Sequence, residues 1–517
     1  MLRPLSLALG ALVCAAQLTF AAPASAAPTT LYVDCSAATN GTGTQAAPLN
    51  SMPAVNALTV GAGDSVLFKR GTTCKGQLYA RWSGTADSPV TYGSYGSGNA
   101  AHIDANGNYA AVWLKNASHV TVQDLELTAP GDNTTARRGV WAQAVDSGDL
   151  SGVTLQRLNI HDVRGVLPAT TGGTVSNGKY AGASGGVIVE ALGSTTPSAF
   201  TGIRIRENTI TSVDRAGIYF WSNWCRRSDL VSFWSSYCSS GWHPHTGTVV
   251  EDNHLSDVGG DGVVIKTSSD AVVQHNTLAG FNERAGSPNA GMWTANSDDV
   301  TFQYNEASGG NSTKDGQGYD VDHSTNRVTF QYNVSHDNDG GFMLLCPYGA
   351  DVPGNSKDFV VRYNLSVNDH GRTFQVCSGG LVRGRIYNNT IQLPEDAGHQ
   401  VVTESATKDG ALDVAFTNNL LRGASAGSYI WTLNDSAFRI DHNLIYSAAV
   451  PPTGTNTLTS APQLASPSTT SSDPDDFKLL TTSPALSAGA PVTANGGSDF
   501  FGTTPADPPS IGFHEGN

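Results

Sequence analysis

An asparagine returns nine times at the same point of a short alternating pattern. It stands in Arg206-Glu207-Asn208-Thr209-Ile210, Glu251-Asp252-Asn253-His254-Leu255 and Gln274-His275-Asn276-Thr277-Leu278. It recurs in Gln303-Tyr304-Asn305, Gln331-Tyr332-Asn333, Arg362-Tyr363-Asn364, Asn388-Asn389-Thr390-Ile391, Asn418-Asn419-Leu420-Leu421 and Asp441-His442-Asn443-Leu444-Ile445. From Asn253 the steps are 23, 29, 28, 31, 25, 30 and 24 residues, and Leu125 and Leu158 hold the same slot 33 apart. Units of this size, each a few short strands, cannot bury a face alone and must stack on one another. Propeller blades need about 40–45 residues and four strands, which these steps do not supply. Asn suits a tight bend because it tolerates the left-handed region and its amide can reach the next coil.

The composition agrees. Of 517 residues 57 are Gly and 24 Pro, only 14% are charged and 39% are hydrophobic. That is a turn-dense β chain with enough apolar residues for a sizeable core. It is neither a coiled coil nor a charge-rich disordered chain. A net charge of −15 argues against nucleic acid as a partner.

Residues 1–26, with Arg3, an apolar stretch and Ala24-Ser25-Ala26, read as a secretory signal peptide, so the chain is expected to be extracellular. No later stretch reaches about 18 apolar residues, and no membrane partner is expected. Six cysteines follow the signal, an even number without CxxC spacing, which suggests disulfides. Proximity pairs Cys35 with Cys74, Cys225 with Cys238 and Cys346 with Cys377, and the repeat brings the third pair onto adjacent coils.

The pattern resembles the secreted right-handed parallel β-helix, or pectin-lyase-like, carbohydrate-active proteins, over about residues 30–450. The opening Leu31-Tyr32-Val33-Asp34, followed by Gly61-Ala62-Gly63-Asp64-Ser65-Val66-Leu67-Phe68, is similar to the usual start of such chains. The expected fold is all-β: a single-stranded right-handed parallel β-helix of roughly eleven coils. A short helix within 51–58 would cap its N-terminal end, where an uncovered coil would be an aggregation-prone edge. The expected division is a signal peptide at 1–26, the capped β-helix at 27–448, and a linker with an irregular C-terminal cap at 449–517.

A second slot follows each Asn bend. It begins at Gly and continues as a strand: Gly186 to Glu190, Gly217 to Trp221, Gly262 to Lys266, Gly291 to Ala295, Gly318 to Asp322, Gly341 to Leu345 and Gly371 to Gln375. Side chains alternate along a strand. The first and third residues after Gly are mostly apolar and should face the core; the second and fourth should face out. One outward line then reads Tyr219, Val264, Trp293, Asp320, Met343, Thr373. The other reads Glu190, Trp221, Lys266, Ala295, Asp322, Leu345, Gln375.

Asp320 and Asp322 thus share one outward face, about 6.5–7 Å apart at the backbone. Such a pair must be offset by a cation, a proton or a substrate. It suits glycoside hydrolysis with one acid and one base or nucleophile, and the spacing overlaps the inverting range of about 6.5–9.5 Å. Solvated surface or a structural Ca²⁺ site is the bland alternative. Flat aromatic faces suit sugar rings, and Trp293, Tyr219 and Trp221 lie near the pair. Lys266 is two coils, roughly 10 Å, from Asp322.

The reading drawn is a glycoside hydrolase cleaving a polysaccharide or oligosaccharide as a monomer without cofactor. Asp320, Asp322 and Lys266 are its catalytic candidates; Trp293, Tyr219, Trp221, Gln375 and Asp315 are its substrate-binding candidates. The alternative is a polysaccharide lyase or epimerase with Lys266 as base and Ca²⁺ on Asp320, Asp322 and Asp315. A third is a non-catalytic carbohydrate-binding surface protein. His323 reads as structural, Asp261 as a turn residue near the groove, and 336–341 as a turn rather than a Ca²⁺ loop. The Trp-rich insertion at 221–247 and the excursion at 170–184 should wall the groove.

Overall fold

The computed structural model describes residues 27–167, 182–228, 238, 241–347, 355–404, 412–425, 427–433, 438–451 and 453–516. The signal peptide, most of the 170–184 excursion and the centre of the 221–247 insertion, Trp234 included, lie outside the described residues. Every paired strand is parallel, and one α-helix is present among the described residues. Three long sheets of 15, 12 and 13 strands run the length of the molecule, with a fourth of 4 strands beside them. That is slightly more than eleven coils, because the first coils carry no asparagine marker to count. No helix among the described residues is long and apolar enough to cross a membrane.

The asparagines explain how the coils stack. Asn333 donates from Nδ2 to Phe302 O (3.0 Å) and Asn364 Oδ1 (3.0 Å), while its Oδ1 accepts from the backbone N–H and the amide of Asn305 (both 3.0 Å). The same contacts run from Asn208 to Asn443, all buried. The left-handed position, though, belongs to the residue before each Asn. Glu207, Asp252, His275, Tyr304, Tyr332, Tyr363, Asn388, Asn418 and His442 have φ between 51° and 58°. Asn itself is needed for its amide, which has a donor and an acceptor to send in opposite directions along the stack.

Glycine marks the entrance of the 12-stranded sheet for a steric reason. A Cβ on Gly217 would lie 2.6 Å from Gly262 O, one on Gly262 2.5 Å from Gly291 O, and one on Gly291 2.4 Å from Gly318 O. After these glycines Ile218, Phe220, Val263, Ile265, Met292, Tyr319 and Val321 join the main core, as the alternation requires.

The N-terminal end is closed by the helix Met52–Asn56, with Met52 and Val55 buried. The strand Thr30–Val33 pairs with Ser65–Lys69, and the Cys35–Cys74 bridge sits beside it. The other two bridges, Cys225–Cys238 and Cys346–Cys377, also form as proximity suggested. At the far end Thr455 and Leu458 pair with Asp441 and Leu444 of the last coil. The tail then runs along the flank, where Leu464, Phe477, Leu479, Ile511 and Phe513 bury Tyr332, Tyr363, Tyr387 and Leu420 in a second core.

Candidate active site

The outward side chains of the 12-stranded sheet form an apolar cluster of their own, including Ile188, Tyr219, Trp221, Val264, Trp293 and Ala295. An apolar cluster on the outside of a coil is unusual, since that face normally meets water. Here it carries charged groups in its midst.

Lys266 is one of them, only 1% exposed. Its Nζ donates to Tyr219 Oη (3.0 Å) and lies 5.1, 5.5 and 4.7 Å from the ring centres of Tyr219, Trp221 and Trp293. Three aromatic rings thus stand around the ammonium. Asp261, read as a turn residue near the groove, is fully buried. Its Oδ1 accepts from the Trp293 indole N–H (2.9 Å) and from Ala290 N–H (3.0 Å), and its Oδ2 is ion-paired with Arg215.

Asp320 and Asp322 stand on the strand Gln317–Asp322 at alternate positions. Trp293 is the register partner of Asp320, as the frame predicted. Asp320 is buried, whereas the Asp322 side chain keeps 16% of its exposure. Asp322 Oδ1 accepts from His323 N–H (2.8 Å) and sits 2.7 Å from His323 Nδ1. His323 is therefore a buried support for that carboxylate.

Beyond Asp322 the frame slips. The partners of Asp320 and Asp322 are Leu344 and Cys346, not Met343 and Leu345, and Met343 joins the core. The strand Gly341–Cys346 sits one residue further along, with Gln317 opposite Gly341, and Gly341 is the glycine that packs against the next coil, where an added Cβ would run into Arg372 O. A second slip puts Gln375 beside Leu344, in the line of Asp320 rather than of Asp322. There Gln375 Oε1 accepts from Gln317 Nε2 (2.7 Å). Asp315 lies in the turn before the strand with φ 61°, and Arg372 reaches its carbonyl (3.3 Å) and that of Thr313 (2.8 Å). Arg372 thus spans the turn and does not enter the core.

At the other end of the line Glu190 is buried, accepting from Trp141 Nε1 (2.7 Å), Gln143 Nε2 (3.1 Å) and Gly182 N–H (2.5 Å). Trp113 stacks on Trp141 at 4.9 Å, and Arg138 covers the ring of Trp141 at 4.2 Å. The alternation that placed Trp293 also places Trp141 outward, a signal present in the sequence. The insertion is tied to the coils by the Cys225–Cys238 bridge, by Arg227 paired twice with Asp298 (2.8 and 3.2 Å), and by Asn296 Nδ2 donating to Cys225 O (3.0 Å). The 336–341 run is a turn: His336 contacts Glu306 (2.9 Å) and Asp337 (2.8 Å), and Asn338 bonds to Asp369 (2.8 Å). Among the described residues no three His, Cys, Asp or Glu side chains gather as a metal site.

Comparison with known proteins bears on the fold. A family described as "Right handed beta helix region" matches residues 237–421. A lacto-N-biosidase of Bifidobacterium longum subsp. longum is 27% identical over 495 residues, which is 79% of this chain and 30% of that protein. The chain therefore spans less than a third of the length of that curated relative. The crystal structure of native GH136 lacto-N-biosidase from Eubacterium ramulus is 23% identical, covers 78% of this chain and 68% of its own, and superposes with a TM-score of 0.60. Its selenomethionine derivative matches at 22% identity, 78% and 67% coverage, and a TM-score of 0.58. Coil geometry and likeness agree on the fold, and this chain is a right-handed parallel β-helix.

Proposed function

We propose that this chain is a glycoside hydrolase acting on a polysaccharide or oligosaccharide, with Asp320 and Asp322 as its acid and base. The observation that carries the reading is the pair itself: two carboxylates on one outward strand face, one of them in register with Trp293. Asp322, the more exposed, is the one water can reach, and we assign it the base. Asp320, beside the indole, then protonates the leaving oxygen. Lys266 supplies a fixed positive charge that offsets the pair. The likeness to proteins named lacto-N-biosidases supports a glycosidase and puts oligosaccharides bearing a lacto-N-biosyl unit first on the panel. Three disulfides suit an extracytoplasmic setting.

The lyase reading is weaker on one observation. Lys266 as base would have to be neutral and face the substrate, yet its Nζ is enclosed by three rings and donates to a phenol.

The test is product analysis on neutral and uronic glycans with Asp320→Asn and Asp322→Asn made singly. New reducing ends without unsaturated-uronate absorbance are expected from the parent chain. Each variant should lose at least about 100-fold in kcat, the lower range for a lost acid or base, with its thermal midpoint kept. Full activity in both variants would sink the assignment. Proton NMR of the first-formed anomer should show inversion, as the backbone spacing favours.

A further inference from the structure

Five buried side chains behind the carboxylates close a circuit. Asp261 bonds the Trp293 indole (2.9 Å) and pairs with Arg215. The Arg215 guanidinium lies 5.3 Å from the Tyr219 ring centre. Tyr219 Oη accepts from Lys266 Nζ (3.0 Å), and Nζ lies 4.7 Å from the Trp293 ring, which leads back to Asp261. Trp293 is also the neighbour of Asp320 across the sheet.

The two oxygens of Asp261 do different things. Oδ2 neutralises Arg215, which a buried guanidinium requires. Oδ1 is committed to the Ala290 N–H and the indole N–H. The Asp261 bond holds the indole at its N–H edge, and with the ring so held its face is the plane against which Lys266 rests. We propose that Asp261 is a positioning residue: it orients Trp293 and, through Trp293, holds the Lys266 charge on the outward face that carries Asp320 and Asp322. The proposal rests on the hydrolase reading, in which that charge assists the carboxylates.

A merely structural ion pair would stabilise the fold without touching turnover per folded molecule. Two variants separate the roles. Trp293→Phe keeps a ring and the Arg215–Asp261 pair but deletes the indole donor. Asp261→Asn keeps an oxygen acceptor but breaks the ion pair. The readouts are the Trp293 indole N–H resonance in ¹⁵N-labelled full-length protein, the thermal midpoint, and kcat and KM per folded molecule.

Trp293→Phe should lose at least tenfold in kcat with KM within threefold and the midpoint nearly kept. Asp261→Asn should lower the midpoint, and its kcat should follow the indole resonance, both kept or both lost. Parent kcat in Trp293→Phe would overturn the proposal. So would an Asp261→Asn protein in which the indole resonance and kcat part company. Should the parent chain turn over no glycoside, the hydrolase reading falls, and the resonance alone decides the positioning claim. An indole N–H in Asp261→Asn that exchanges as slowly as in the parent supports the bond, and one unchanged after Asp261→Ala refutes it.

Discussion

The asparagines inside the ladder, Asn333 among them, satisfy polar groups on the coils before and after their own. Replacing Asn333 with Ala would take this partner from Phe302 O and from the Asn305 N–H in a dry site, and would leave the Asn305 amide only its bond to Val273 O. An unpaired buried polar group costs about 1–3 kcal/mol. Relaxation would recover part of the sum, so Asn333→Ala should destabilise by about 2–4 kcal/mol in chemical denaturation. Asn333→Asp should cost more. It matches in shape, but a carboxylate cannot donate to Phe302 O or Asn364 Oδ1 and would be a buried charge. An Asp variant as stable as the parent would show that the amide donors contribute little. The residue before each Asn obeys a different rule. It needs only to tolerate a left-handed backbone, which is why Glu, Asp, His, Tyr and Asn all occur there.

At the scale of strands and turns, glycine marks the frame on which the sequence reading of the site depends. Gly340 has no room for a side chain, because its Cβ would meet Asp315 O at 1.8 Å and Gly316 C at 2.4 Å, both backbone. Gly71 also lies in a turn, with φ 75°, but nothing lies within 4 Å of its added Cβ. Gly71→Ala should cost only the conformational strain, about 1 kcal/mol. Gly340→Ala should cost about 3 kcal/mol or more, since the Asp315 turn must move. Because that turn opens onto Asp320 and Asp322, Gly340→Ala should also lose activity that Gly71→Ala keeps; equal midpoints would refute the steric account. The same glycines show what was legible in the sequence. Up to Gly318 the outward lines emerge correctly, Trp293 beside Asp320 included, even across the Gly185-Gly186 pair. From Gly341 onward each of two coils pairs one residue further along, which brings Leu344 and Gln375 into the line of Asp320, and no glycine marks that change. Arg215 and Asp261 were harder to see as a pair, because 46 residues and a whole insertion separate side chains that the coil brings together.

For the molecule as a whole, two buried histidines and one half-buried one give stability a dependence on pH. His245 is pushed down to about 4 by burial and sits neutral, accepting from Phe200 N–H (3.1 Å) at Nδ1. His399 is likewise pushed down to about 4 by burial, despite the carboxylate of Asp396 nearby. Both lie below the ordinary 6.5 of an unfolded histidine, so the unfolded chain binds more protons between these values. The stability they contribute is complete above about 6.5 and is lost as pH falls towards 4. His336 has the opposite sign. Burial alone would lower it, but Glu306 and Asp337 outweigh burial and raise it to about 9. Its contribution is complete below about 6.5 and is lost as pH rises to 9. The thermal midpoint should therefore peak near pH 6.5 and fall on both sides. The limbs can be taken apart, since His336 grips an outer turn while His245 lies between Phe200 and Phe220 in the core. His336→Gln should flatten the alkaline limb and leave the acid limb as it was. A parent midpoint that keeps rising to pH 9, or a His336→Gln variant with an unchanged alkaline limb, would show that the Glu306–His336–Asp337 clasp does not bind its proton in the folded chain.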